Sequence, residues 1–151
     1  MRFFFLAIPA TLLAQTLQIT PSTVTRGAIG SFLIRLNSPP QTRPVSLQWD
    51  LAVPKQIQVN AGDIVPGSSA ESAEKSLSCA AATLDRNVSI YRCILAGGPK
   101  TLQNGAVAIV KYTVPDGHPG NIQVRIEKVL GVSKNVKKIE LPDAEGTVTI
   151  R

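Results

Sequence analysis

Residues 105–126 read GAVAIVKYTVPDGHPGNIQVRI, and the fold class follows from how their apolar positions recur. Ala108, Val110, Tyr112 and Val114 fall on every second residue, with Lys111 and Thr113 between them. After the turn-forming run Pro115–Gly120 the alternation resumes: Ile122, Val124 and Ile126 against Gln123, Arg125 and Glu127. A period of two is the signature of a strand with one buried and one wet face, whereas a helix repeats at 3.6. Proline, aspartate and glycine between the two runs supply the backbone angles of a reversal.

The same pattern spreads outward along the chain. Val45, Leu47, Trp49 and Leu51 share one face of a strand, and Ser46, Gln48 and Asp50 share the other. This parity places Trp49, the sole tryptophan, in the core. Ser31–Leu36 is a strand that follows Gly30 and ends at Asn37-Ser38-Pro39-Pro40. Leu17–Thr20 opens the fold before Pro21, Ile57–Val59 forms a short strand after Pro54, and Thr147–Ile150 closes the chain. Residues 66–76 are small and polar, a loop or at most one helical turn, and Gly131–Lys138 is a loop or an irregular strand. About nine strands with turn signals at short intervals and no intervening helices favour a sandwich over a parallel sheet, which needs helical crossovers.

Cys79 and Cys93 are the two cysteines. They sit in two runs, Leu77–Leu84 and Val88–Leu95, around Asp85-Arg86-Asn87. With Arg86 at the centre of the turn, paired residues have numbers summing to 172, which sets Cys79 directly across from Cys93. Residues so placed are close enough to bridge, and an even pair of cysteines in an exported chain reads as a disulfide. Export itself is the expectation from residues 1–14. Arg2 precedes the uncharged apolar run Phe3–Ala14, and small Ala14 stands before polar Gln15. That is the layout of a secretory signal peptide, too short to span a bilayer. A single domain over residues 15–151 is then expected, in an extracellular or periplasmic location.

The catalytic inventory is thin. His118 is the one histidine, flanked by glycine and proline in a turn, and neither a zinc cluster nor a nucleophile-elbow pattern accompanies it. No calcium loop of the alternating-aspartate type occurs. Among Asp50, Asp63, Asp116 and Glu127 no pair can be assigned to a cleft from sequence. An enzyme is therefore not expected, nor a cofactor or metal. The formal net charge of +6 favours acidic partners. Nucleic acid is excluded by export, by the spread of the basic residues and by an aromatic content of 5%. Arg125, Lys128, Lys134, Lys137 and Lys138 form a late basic cluster, read as a solvated edge. Asn87-Val88-Ser89 fits the glycosylation sequon in the hairpin turn.

In order and spacing these segments resemble a cohesin module. The resemblance is carried by Gly30–Leu36, by Val45–Asp50 with its aromatic-aspartate end, by Ile57–Val59 with Ala61–Val65, by Gly105–Val114 with Ile122–Ile126, and by Gly146–Ile150. It implies an all-β, nine-stranded antiparallel β-sandwich of jelly-roll topology. It also implies an exported, non-catalytic module that docks another exported protein, one bearing a dockerin, through the outer face of one sheet. Ser46, Gln48 and Asp50 point outward on the matching strand, and Arg125 and Glu127 on the late one. Two departures stand out: Leu51 replaces the proline that usually follows the aromatic-aspartate pair, and the cysteine pair is not a family hallmark. A carbohydrate-binding module is a second reading, opposed by the scarcity of tryptophan and tyrosine. A structural part of an envelope secretion or pilus assembly is a third.

Overall fold

A computed structural model describes residues 15–115 and 118–151. Among the described residues eleven strands form two sheets: β1 Thr16–Ile19, β2 Ser22–Val24, β3 Ile29–Asn37, β4 Pro44–Pro54, β5 Ile64–Pro66, β6 Ser76–Leu84, β7 Val88–Ala96, β8 Gly105–Thr113, β9 Gly120–Ser133, β10 Lys138–Leu141 and β11 Ala144–Ile150. One sheet runs β1-β3-β8-β5, and the other β2-β11-β9-β4-β7-β6, with β10 also paired to β9. The all-β sandwich expected from the alternation is therefore what forms. A single α-helical turn, α1 Ser68–Ser72, occupies the stretch expected to hold at most that.

Several details differ from the sequence reading. Strands β2, β5 and β10 are additional and Ile57–Val59 is not one, which makes the count among the described residues eleven rather than nine. The pairing is not wholly antiparallel, because β2 runs parallel to β11. Ile57 and Val59 are both buried, yet they flank an isolated bridge from Gln58 to Thr113 rather than forming a strand. The chain there has only three residues between one turn and the next, so it plugs the sandwich side without a ladder. Gly131–Lys138 divides into the end of β9, a tight turn and the start of β10. The expected signal peptide, residues 1–14, and Asp116 lie outside the described residues.

The core lies between the sheets. Phe32, Ile34 and Leu36 of β3 and Val110 and Tyr112 of β8 face Leu47, Trp49, Leu51 and Val53 of β4 and Val124 and Ile126 of β9. Each such side chain contributes roughly 1.5–3 kcal/mol when fully buried. Phe32 and Tyr112 pack with ring centroids 5.8 Å apart and planes tilted by 35°. The Tyr112 hydroxyl shares a 2.7 Å hydrogen bond with Ser22, tying β2 across to the opposite sheet. Lys75, buried after α1, donates from Nζ to the carbonyls of Gly97 (2.7 Å) and Gly98 (2.9 Å), which fastens the glycine loop after β7.

Besides a register shift at Pro44–Ser46 of β4, two irregularities shape the larger sheet. Opposite the single residue Trp49 between Gln48 and Asp50 of β4, β9 holds two, Lys128 and Val129, and Lys128 has φ 51°. This bulge accentuates the bend of β9 at the point where it stops pairing with β11 at Ile126 and starts pairing with β10 at Val129. The second bulge is in β6, between Ala81 and Thr83.

Candidate functional site

The broad surface of the larger sheet is the outer face of β9-β4-β7-β6. Strand parity builds it. On β4 the odd residues from Leu47 to Val53 enter the core, so Ser46, Gln48, Asp50 and Ala52 lie outside. Register then aligns the neighbours: Gln48 stands between Ile94 of β7 and Leu130 of β9, and Asp50 between Arg92 and Glu127. Arg125 pairs with Ala52 on one side and Glu145 of β11 on the other. The five residues expected to meet a partner, Ser46, Gln48, Asp50, Arg125 and Glu127, thus share one face.

Their availability is unequal. Ser46 and Gln48 are half-buried, whereas Asp50 is only 4% exposed. Arg92 covers it in a bidentate pair, Nε to Oδ1 at 2.9 Å and Nη2 to Oδ2 at 3.1 Å. The hydrogen bonds and the charge of Asp50 both raise the pKa of the Arg92 guanidinium. Asp50 is therefore a buried support, and the group offered to solvent above it is Arg92. Arg125 is the hub of a second cluster, 2.8 Å from Glu145, 3.2 Å from Glu127 and 3.9 Å from Asp143. One cation against three carboxylates leaves this end of the face acidic on a basic protein.

Between the charges and the β9–β10 turn lies an apolar groove of about 380 Å³, lined by Gln48, Ile94, Leu130, Val132, Val136 and Lys138 among others. Ile94 is 48% exposed and Val136 84% exposed. Val136 has φ 59°, a conformation that a β-branched residue rarely adopts. The sequence reading missed Arg92 and Ile94 because β7 is apolar on both faces. The missing signal was the disulfide: Cys93 is fully buried, so Tyr91 and Leu95 share its inward parity and Arg92 and Ile94 must face out.

The disulfide is formed between Cys79 and Cys93, with Cα atoms 4.1 Å apart. Paired positions sum to 172 from Ser76–Ala96 to Ala81–Tyr91, as the centred turn predicted, before the bulge shifts the register. Every aromatic residue among those described, Phe32, Trp49, Tyr91 and Tyr112, is buried. His118 is exposed, and no group of three or more His, Cys, Asp or Glu gathers among the described residues. No helix there is long and apolar enough to cross a membrane.

No protein-family model and no curated protein matches the chain. Solved structures do. The non-cellulosomal cohesin of the archaeon Archaeoglobus fulgidus superposes with a TM-score of 0.72 at 12% identity, covering 91% of each chain. The fold is cohesin-like. The cohesin of a Clostridium thermocellum type I cohesin–dockerin complex involving OlpA gives 0.74 at 16% identity, over 91% of this chain and 99% of that one. The cohesin module of a Clostridium perfringens family 33 glycoside hydrolase gives 0.67 at 11%, over 91% and 96%. Identities this low carry the cohesin-like architecture and nothing finer.

Proposed function

We propose that this protein is an exported, non-catalytic docking module that binds another exported protein, of dockerin type, through the outer face of β9-β4-β7-β6. The carrying observation is the cohesin-like fold over nearly the whole chain, shared with cohesins solved in complex with dockerins. The outer face supports it with the features a protein interface needs: an apolar centre at Ile94, Leu130 and Val132, and a polar rim with fixed ion pairs at Arg92 and Arg125. Ser46, Gln48, Arg125 and Glu127 are the contact residues of this reading, and Asp50 holds Arg92 in place. Residues 1–14 act as the export leader and residues 15–151 as one module. The disulfide is consistent with an oxidising compartment. A polysaccharide platform lacks its aromatics, since all those described are inside.

The test is capture. The oxidised protein is immobilised and exposed to the exported fraction of the source cells with calcium present, and retained proteins are identified by mass spectrometry. Retention of a dockerin-bearing protein that is lost on Gln48→Arg or Ile94→Arg supports the reading and locates the face. Retention of polysaccharide alone, or of nothing, overturns it.

A further inference from the structure

The tip of the β6–β7 hairpin carries chemistry that the docking face does not use. Ala80–Val88 are exposed without interruption, so this end of the hairpin has no core packed under it and projects from the body. The turn at its tip is tight. The Asp85 N–H donates to the Val88 carbonyl at 3.1 Å and Leu84 pairs with Ser89, which leaves Arg86 and Asn87 as the loop. The Asn87 carbonyl accepts from the Lys55 N–H at 3.0 Å, which fixes the backbone of the turn beside the end of β4.

The chain has asparagines at 37, 60, 87, 104, 121 and 135, and only Asn87 has serine or threonine two residues on. Asn-X-Ser/Thr, with X not proline, is the acceptor for transfer of an oligosaccharide to the carboxamide nitrogen, and it must lie on the surface of an exported chain. The fold supplies that exposure: Asn87 and Val88 are exposed and Ser89 is partly so. The reacting groups are also unengaged. Among the described residues neither the Asn87 carboxamide nor the Ser89 hydroxyl makes a hydrogen bond, whereas the side chains of Asn60, Asn104 and Asn121 are all held.

We infer that Asn87 is N-glycosylated during export, with a lipid-linked oligosaccharide diphosphate as the donor. Asn87 Nδ2 attacks the anomeric carbon of the donor sugar. A C–N bond forms as the C–O bond to the diphosphate breaks, the lipid diphosphate leaves with the electron pair, and the amide nitrogen gives up one proton. Ser89 is the recognition group: its hydroxyl, two residues on, makes this asparagine an acceptor. The attached sugar is bulky and hydrophilic, and it stands beside Leu84 and Val88, which are 71% and 37% exposed. Asn87 lies seven residues from Ile94 along β7, roughly 23 Å at the rise of a strand, so the groove stays open. This inference rests on the export part of the proposed function and not on docking.

Intact mass and peptide mapping of the protein recovered from its source cells test it, with the exported fraction and the cell interior analysed separately. The exported chain should carry one glycan, on the peptide that holds Asn87. Asn87→Gln and Ser89→Ala should each return it to the mass of the bare chain, while Ser89→Thr keeps the glycan. Emission of the buried Trp49 shows that each variant is folded. An exported chain of bare mass overturns the inference and leaves export standing. An unmodified chain found only inside the cells overturns both. A glycan that survives Asn87→Gln or Ser89→Ala also overturns the inference, because it is then attached elsewhere or by other chemistry.

Discussion

Breaking the Cys79–Cys93 bond should cost about 3 kcal/mol, and the structure says where that loss appears. The bond closes a loop with a sequence separation of 14. In the chain-entropy model the denatured state is then relieved of about 10 cal/mol/K of constraint, or roughly 3 kcal/mol at 25 °C. For a domain of this size that corresponds to a fall of roughly 10 °C in melting temperature. Cys93 is wholly buried and Cys79 partly so, so reductant must act on the unfolded chain. The protein is therefore unfolded in urea with reductant, refolded, and checked for two free thiols per chain. Unfolding is followed through Trp49, whose indole is buried in the core and becomes wet on denaturation. The midpoint should drop, and the urea slope should rise slightly because the uncrosslinked chain exposes more surface. Hydrogen exchange gives a local counterpart: β6, held only by β7, should lose protection before β4 or β9 does. A refolded dithiol protein whose stability lies within about 1 kcal/mol of the oxidised form would refute the reasoning, since the loop term alone exceeds that.

Three further outcomes are expected. Arg92→Ala should lower the urea midpoint more than Asp50→Ala, because the first strands a buried carboxylate and the second frees a half-exposed guanidinium to water; equal losses would contradict the burial of Asp50. Burial raises the pKa of both tyrosines, Tyr91 and Tyr112, from 10.0, while the hydrogen bond with Ser22 partly offsets the shift at Tyr112. The native state then holds protons that the unfolded state gives up above pH 10, so their contribution to stability is full below pH 10 and fades as pH rises through the native values. Absorbance at 295 nm should show the phenolate component appearing at higher pH in the native protein than in the unfolded chain. Gly67→Ala and Gly146→Ala should each cost roughly 1–3 kcal/mol by overpacking, measured by thermal denaturation. A Cβ at Gly67 meets the Ala106 backbone and one at Gly146 meets Ile19, so Gly67→Ala should be the worse of the two because a backbone yields less than a side chain.

Much of this was legible before any coordinates. Trp49 was placed in the core by parity with Leu47 and Leu51, and it is there. The Cys79–Cys93 pair followed from a centred hairpin. Other features were illegible for identifiable reasons. Strand β2 has three residues between Pro21 and the turn at Gly27, too few to show a period, and its parallel partner β11 is more than a hundred residues away. Ile57 and Val59 alternate like a strand because both are buried, but burial without a neighbouring ladder makes no strand. Asp50 carried an outward parity that was right and an exposure that was wrong, since parity says nothing of a covering arginine on the next strand.

The line between the two sources of knowledge is the line between local and non-local physics. Alternation, turn residues and the symmetric spacing of two cysteines are properties of short stretches. They determined the all-β class, the inward set of each clear strand and the hairpin that carries the disulfide. Which strands lie side by side is decided by burial across the whole sandwich, and only the tertiary structure shows it. That adjacency brings Gln48, Ile94 and Leu130 into one groove, sets Arg92 over Asp50, surrounds Arg125 with three carboxylates and leaves β6 without a neighbour. None of these follows from spacing along the chain, because each joins residues whose separation in sequence bears no relation to their distance in space.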